Sequence, residues 1–188
     1  MSPLSLNLFL NLKLALKPIF FIPRGEKNQR EGYGFTVQDF PQDLKNELNQ
    51  IFLSDPTAKS MGVTSFDWAP GEASVRSTLT ESFTNFLGVG HGGFLFSLGD
   101  IALSFASNSY GRKSLAMKVD VTYHRGVQVG DEVVASAAEV SRSRRFASYQ
   151  IDLHVGDELV ASATGLTFRT EDWHLGEEVW PEDWKKKY

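Results

Sequence analysis

Asp100 is a carboxylate set among Phe, Leu, Ile and Ala, inside a stretch (residues 85–108) reading N-F-L-G-V-G-H-G-G-F-L-F-S-L-G-D-I-A-L-S-F-A-S-N. An ionised acid in such company is costly unless it has a partner or a task. Just ahead of it, Gly92 and Gly93 follow His91 at the start of an apolar helix. The first N–H groups of a helix have no partner within it and attract negative charge. A carboxylate able to act as base or nucleophile, joined by one element to an oxyanion-binding helix end, points to acyl transfer. On a helix, residues three and four apart share a face, so Ser97, Asp100, Ser104 and Asn108 form a narrow polar line. That line either faces a substrate or hydrogen-bonds to itself and nearby backbone to fix the helix register. A base must be ionised near neutral pH, so hydrogen-bond donors must outweigh the effect of burial on Asp100. His91 is one candidate donor, and it serves equally well as a brace for its own loop.

Other chemistries fit less well. Gly88-x-Gly90-x-x-Gly93 matches the dinucleotide-binding G-x-G-x-x-G formally. That pattern needs a hydrophobic strand before it and βαβ units after it, whereas Glu81-Ser82-Phe83-Thr84-Asn85 precedes this one. There is no G-x-S-x-G elbow, since Ser97 sits inside the helix. The four histidines (His91, His124, His154 and His174) are scattered and there is no cysteine, so no metal site and no disulfide is expected. The absence of cysteine fits a cytoplasmic protein. Arg142-Ser143-Arg144-Arg145 lies between two long strands, as either a solvated hairpin end or a phosphate-binding fork. A ligand with phosphates at one end and a reactive acyl group at the other would use both the arginines and the acid helix.

The elements that must hold these residues are readable from residue 41 onward. Leu44, Leu48, Ile51 and Phe52 give residues 43–53 a helical period, which Asp55-Pro56 breaks. Residues 63–68 and 73–79 alternate as strands around Pro70 and Gly71, and the acid helix ends at Gly111. Strands follow at 115–124, 132–140, 146–155 and 158–168, and the first of them places Met117, Val119, Val121 and Tyr123 on one face. One helix without a polar face must be enclosed on nearly all sides. The expected class is therefore α+β, a long antiparallel sheet wrapped around a central apolar helix, with a second copy of the chain supplying the missing cover.

Flanking segments read differently. Leu4, Leu6, Leu8, Leu10, Leu12, Leu14 and Leu16 alternate strictly, and Lys13 and Lys17 break the run before it could span a bilayer as a helix. Residues 1–40 are expected to be a non-core extension or a targeting or membrane-adsorbing segment. Residues 41–169 form the domain. Residues 170–188 are expected to be a polar tail pinned by one or two of Trp173, Trp180 and Trp184, with Pro181 weakening any shared helical face. A formal charge of −4 over 188 residues implies neither nucleic acid nor stable membrane insertion.

The stretch N-x-x-G-x-x-H-G-G-x-L-F-S-L-x-D, with Asn108 eight residues after the acid, resembles the PaaI-like branch of the hotdog-fold acyl-CoA thioesterases. The resemblance covers about residues 55–169. It implies a hotdog fold that pairs edge to edge as a homodimer, often doubled to a homotetramer. It implies hydrolysis of acyl-CoA thioesters of the phenylacetate-degradation type, with coenzyme A as part of the substrate and no separate cofactor. By position, Asp100 takes the role of general base or nucleophile, and the Gly92 N–H, with Gly93 beside it, polarises the carbonyl. His91 and Asn85 shape the site. Ser97 and Ser104, from the polar line of the helix, are expected to line it, and by a looser match Arg144 and Arg145 lie near the CoA phosphates. The acid and the glycine loop of one site come from different chains. Phe94, Phe96, Phe105 and Tyr123 are candidates for the pocket wall. The N-terminal extension, the tryptophan tail and Gly99, where alanine is usual, depart from the pattern. A non-hydrolytic acyl-CoA-binding or regulatory hotdog domain is the alternative, and a dehydratase acting on acyl carrier protein is a weaker third.

Overall fold

The structure is a computed structural model that describes residues 40–188. Its elements run α1 (Gln42–Ser54), α2 (Pro56–Ser60), β1 (Ser65–Ala69), β2 (Glu72–Thr78), α3 (Gly92–Asn108), β3 (Arg112–Tyr123), β4 (Glu132–Arg142), β5 (Phe146–Val155), β6 (Glu158–Trp173) and α4 (Glu182–Lys187). The strands form one antiparallel sheet in the order β1-β2-β4-β5-β6-β3. After α3 the chain crosses to the far edge, where β3, among the described residues, pairs with β6 alone. The expected N-terminal extension lies outside the described residues except for Phe40, which is buried edge-on against Trp68, Trp180 and Trp184.

The sheet wraps α3 because its inner rows are apolar and mostly small. Val133, Ala135 and Ala137 on β4, Ala147, Ile151 and Leu153 on β5, and Ala161 and Ala163 on β6 are all buried. The alternate residues Ser136, Gln150 and Ser162 point the other way, the period of two that a half-buried strand requires. Small residues let the helix approach closely. A side chain at Gly165 would collide with Leu103, and one at Gly99 would already touch Ile151 and Leu153. A further flank of α3 is closed by α1, where Phe52 stacks on Phe105 at 4.6 Å between ring centroids. Asp55 then turns the chain into α2, its carboxylate accepting hydrogen bonds from the N–H groups of Thr57 (2.7 Å) and Ala58 (3.1 Å).

One stripe of α3 stays open. Gly93, Phe96, Ser97, Asp100 and Ser104 are wholly or partly exposed, while Leu95, Leu98, Ile101, Ala102 and Leu103 between them are buried. A single chain therefore leaves a long apolar helix uncovered along the line that carries its only acid.

Two expectations need correction. A bulge between Ala116 and Lys118 breaks the alternation of β3, so Met117 is 59% exposed and does not join Val119 and Val121 on the inner face. The tail is not a polar appendage. Pairing with Arg112 carries β6 on to Trp173, and Trp173, Trp180 and Trp184 are all buried. The Trp180 ring lies against Gly111, whose φ of +86° and lack of a side chain make room for it. Its Nε1 donates to the His174 carbonyl at 2.7 Å, and Trp184 Nε1 donates to the Tyr110 carbonyl at 2.9 Å. Pro181 does separate the two rings, ending one turn and starting α4.

Candidate active site

The loop before α3 is built to present backbone. Asn85 Oδ1 accepts from the Leu87 N–H at 2.8 Å, its own N–H donates to the Val89 carbonyl at 2.8 Å, and Gly88 supplies the left-handed residue (φ +77°) that the turn needs. Gly90 packs so tightly that a side chain there would overlap Val127 and Leu79. His91 is the N-cap of α3, with φ −68° and ψ 136°, and its Nδ1 accepts from the Gly93 N–H at 2.8 Å. The Gly92 carbonyl accepts from the Tyr123 hydroxyl at 3.1 Å. The Gly92 N–H donates to no group among the described residues. Gly92 lines a cavity of about 320 Å³ together with Gly90, Leu95, Tyr123, His124 and Arg125.

These bonds separate the two glycines that the sequence groups together. Gly93 is not a free donor, because His91 already occupies its N–H; of the two, only Gly92 keeps an N–H without a partner among the described residues. His91 is likewise committed to its loop and does not serve Asp100 within the chain.

Asp100 is half-buried, with no hydrogen bond or ion pair to its carboxylate among the described residues. Burial, reinforced by the negative charge of Asp55, holds its pKa above the ordinary 3.8. Eight residues of helix put Asp100 roughly 12 Å along the axis from Gly92, too far for both to act on one carbonyl. What one chain supplies, among the described residues, is a backbone N–H without a partner at one point of an open helix stripe and an unpartnered acid at another.

The model of the thioesterase superfamily matches residues 87–162. The chain is 30% identical over 112 residues to a putative esterase of Archaeoglobus fulgidus, covering 60% of this chain and 73% of that protein. It is 30% identical over 103 residues to the acyl-coenzyme A thioesterase PaaI of Escherichia coli, covering 55% of this chain and 74% of that one. Among solved structures, the E. coli PaaI protein superposes with a TM-score of 0.66 at 26% identity, over 70% of this chain and 96% of that chain. A mutant of the phenylacetic acid degradation protein PaaI from Thermus thermophilus gives 0.60 at 37% identity, over 62% and 100%. The chain belongs to the thioesterase superfamily. Within it, the sheet, the central helix and the PaaI relatives place it in the PaaI-like hotdog branch.

The remaining candidate residues of this thioesterase fall into three places. Ser97 and Ser104 flank Asp100 on the open stripe. Asn108 does not continue that line. It turns inward, where its Nδ2 donates to the carbonyls of Ser104 (2.9 Å) and Ser114 (3.0 Å) and its Oδ1 accepts from the Ser114 N–H (3.0 Å). His174 Nε2 reaches the same Oδ1 at 2.8 Å, and burial, with Lys113 nearby, pushes the His174 pKa down to about 4, so a neutral ring donates here. Asn108 thus ties the end of α3 to β3 and the tail. Phe94 and Phe105 also leave the site, packing in the core against Phe83 and Phe52, whereas Phe96 and Tyr123 stay accessible.

Arg144 and Arg145 stand on the exposed β4–β5 hairpin, each only loosely paired with Glu171 at 3.9 and 4.0 Å. That hairpin adjoins Arg169, opposite Ser114 near the start of β3, while Gly92 adjoins Tyr123 at its end. Roughly 30 Å of strand lies between, so one chain does not bring the arginines to its own glycine loop. Two features of the site were not legible from residue types. Asp55 reads only as a helix break, and the Tyr123 hydroxyl reads only as part of an aromatic wall.

Proposed function

We propose that this thioesterase hydrolyses acyl-CoA or aryl-acyl-CoA thioesters at a site shared by two copies of the chain, with Gly92 of one copy and Asp100 of the other. The observation that carries this reading is the Gly92 N–H, unpaired among the described residues, on a residue that lines a cavity and lies out of reach of the Asp100 on its own helix. Asp100, ionised, takes a proton from water as the water oxygen attacks the thioester carbonyl. The oxygen that gains charge rests on the Gly92 N–H and the positive end of α3. When the tetrahedral species collapses, the C–S bond breaks and the proton on Asp100 goes to the departing thiolate. Thiolate leaves readily enough that no further acid is required. Direct attack by the carboxylate, through an anhydride that water then opens, uses the same two groups.

The open β3 edge supports the pairing. Its exposed Leu115 and Met117 and an outer edge without a strand partner among the described residues suit a second β3 running antiparallel. That arrangement sets the start of one β3, and the arginine hairpin beside it, next to the glycine loop at the end of the other. Arg144 and Arg145 of one copy then face the CoA phosphates of a substrate held by its mate. Coenzyme A enters as part of the substrate. The relatives that carry the PaaI name, one of them a phenylacetic acid degradation protein by name, support phenylacetyl-type esters as substrates, and the cysteine-free composition fits a cytoplasmic place of work. No helix among the described residues is long and apolar enough to cross a membrane. The catalytic domain spans residues 41–169, with the tryptophan segment bracing it.

The test is release of free CoA thiol, followed with a thiol reagent, across a panel of alkyl- and aryl-acyl-CoA esters. Turnover of at least one aryl-acetyl ester is expected. Saturable binding of these esters without thiol release would overturn hydrolysis in favour of a binding domain.

A further inference from the structure

We propose that Tyr123 is a positioning residue for the oxyanion hole, acting through the Gly92–Gly93 peptide. The peptide group is planar, so fixing both of its polar ends fixes the orientation of the whole plane. Here both ends are held: the Tyr123 hydroxyl donates to the carbonyl of Gly92 at 3.1 Å, and His91 Nδ1 accepts the N–H of Gly93 at 2.8 Å. The neighbouring N–H, that of Gly92, is the one left without a partner. Its direction follows from the dihedral angles on either side of it, and two successive glycines would leave those angles loose. A helix start made of His-Gly-Gly therefore needs external pins if its free donor is to point steadily into the cavity.

The Tyr123 hydroxyl is placed for this. Tyr123 is the last residue of β3, on the sheet edge, 48% exposed, so its hydroxyl would find water if it did not reach back to α3. Its ring covers Gly92, where an added Cβ would come within 3.1 Å of the ring, and the same ring walls the cavity. The hydroxyl and the ring thus do separable jobs. The ring shapes the space beside the thioester, and the hydroxyl holds the peptide that aims the donor. A preorganised donor lowers the barrier because no reorientation is needed as charge develops on the oxygen.

The inference rests on the reading of Gly92 as the oxyanion donor, and Tyr123→Phe tests it while keeping the ring. Loss of one neutral hydrogen bond in a positioning role should lower kcat about 3- to 10-fold with KM within about twofold of wild type. Amide exchange at Gly93, read by NMR on glycine-labelled protein without substrate, should quicken in the variant, because the Gly92 carbonyl then keeps only its helix bond and loses the tie to the sheet. A Tyr123→Phe enzyme with wild-type kcat overturns the proposal, as does a loss confined to KM, which would make the hydroxyl a substrate contact. Lowered thermal stability with unchanged kcat and unchanged Gly93 exchange also overturns it, leaving only a structural bond. A wild-type chain that turns over no thioester overturns this proposal together with the reading beneath it.

Discussion

Replacing Gly92 by proline would delete one hydrogen atom of interest and little else. Gly92 is the first helical residue of α3, the position where proline is best tolerated because its missing N–H has no helical partner. The residue before a proline must be extended, and His91 already is, with ψ 136°. No hydrogen bond of the described chain is lost, since the Gly92 N–H makes none. The added Cβ meets the Tyr123 ring at 3.1 Å, and a ring 48% exposed can give by the few tenths of an ångström required. The fold should therefore survive, with a melting temperature within about 5 °C of wild type. Catalysis should not: one oxyanion donor is worth about 3 kcal/mol in the transition state, so kcat should fall roughly 100- to 1,000-fold in the thiol-release assay. The same variant also locates the acid. Co-refolding Gly92→Pro with Asp100→Asn at equal amounts gives mixed dimers for half the population, each with one doubly damaged and one intact site if the site is shared. Two nearly inactive parents should then yield roughly a quarter of wild-type specific activity. A mixture no more active than its parents would place both groups in one chain and refute the shared site. A Gly92→Pro enzyme within about threefold of wild-type kcat would refute the oxyanion assignment.

Three further outcomes follow from the same geometry. Asp100→Asn should lower kcat by roughly a thousandfold, yet melt higher than wild type at pH 7. Because the folded chain raises the Asp100 pKa, the stability linked to it is fully present below the ordinary value of 3.8 and is lost as pH rises through the folded value, so the two melting curves should converge in acid. Asp55→Asn keeps a side-chain cap for α2 but removes the charge beside Asp100, and the acid limb of the kcat profile should move to lower pH. Gly111→Ala forces a side chain into the Trp180 ring at a left-handed φ, and urea denaturation should show a loss of about 2 kcal/mol or more.

The sheet and the acid helix were legible because their signals are local. Period-two alternation with Gly130 and Gly156 at the turns marks the strands, and an unbroken apolar run marks α3. The bulge at Met117 was not legible, since an extra residue in an edge strand leaves no mark in the alternation around it. The end of β6 was hidden by Thr170, Glu171 and Asp172, polar residues that a strand tolerates when its partner, here Arg112, lies far away in sequence. The site was legible as a pair of residue types, an acid and a glycine-rich helix start. Which glycine is free depends on where the His91 ring turns, and what holds the other end of that peptide depends on Tyr123, 31 positions away. Asn108 misled because spacing alone put it in line with Asp100, whereas its amide is spent on Ser114 and His174.

Under the proposed pairing, the β3 edge also bears on how the chain behaves before it finds a mate. Among the described residues the outer edge of β3 beyond Ser114 has no strand partner, and with Leu115 and Met117 exposed on it, it forms a template to which an extended segment can add. Lys113 and Lys118 are the usual guards of such an edge, but Lys118 is partly neutralised by Asp120 at 2.7 Å. Correct pairing therefore competes with irregular strand addition each time a free chain appears. Dilution, slow synthesis or a variant that weakens the pairing should show itself as turbidity and loss to the pellet, not as a lasting pool of dissolved single chains.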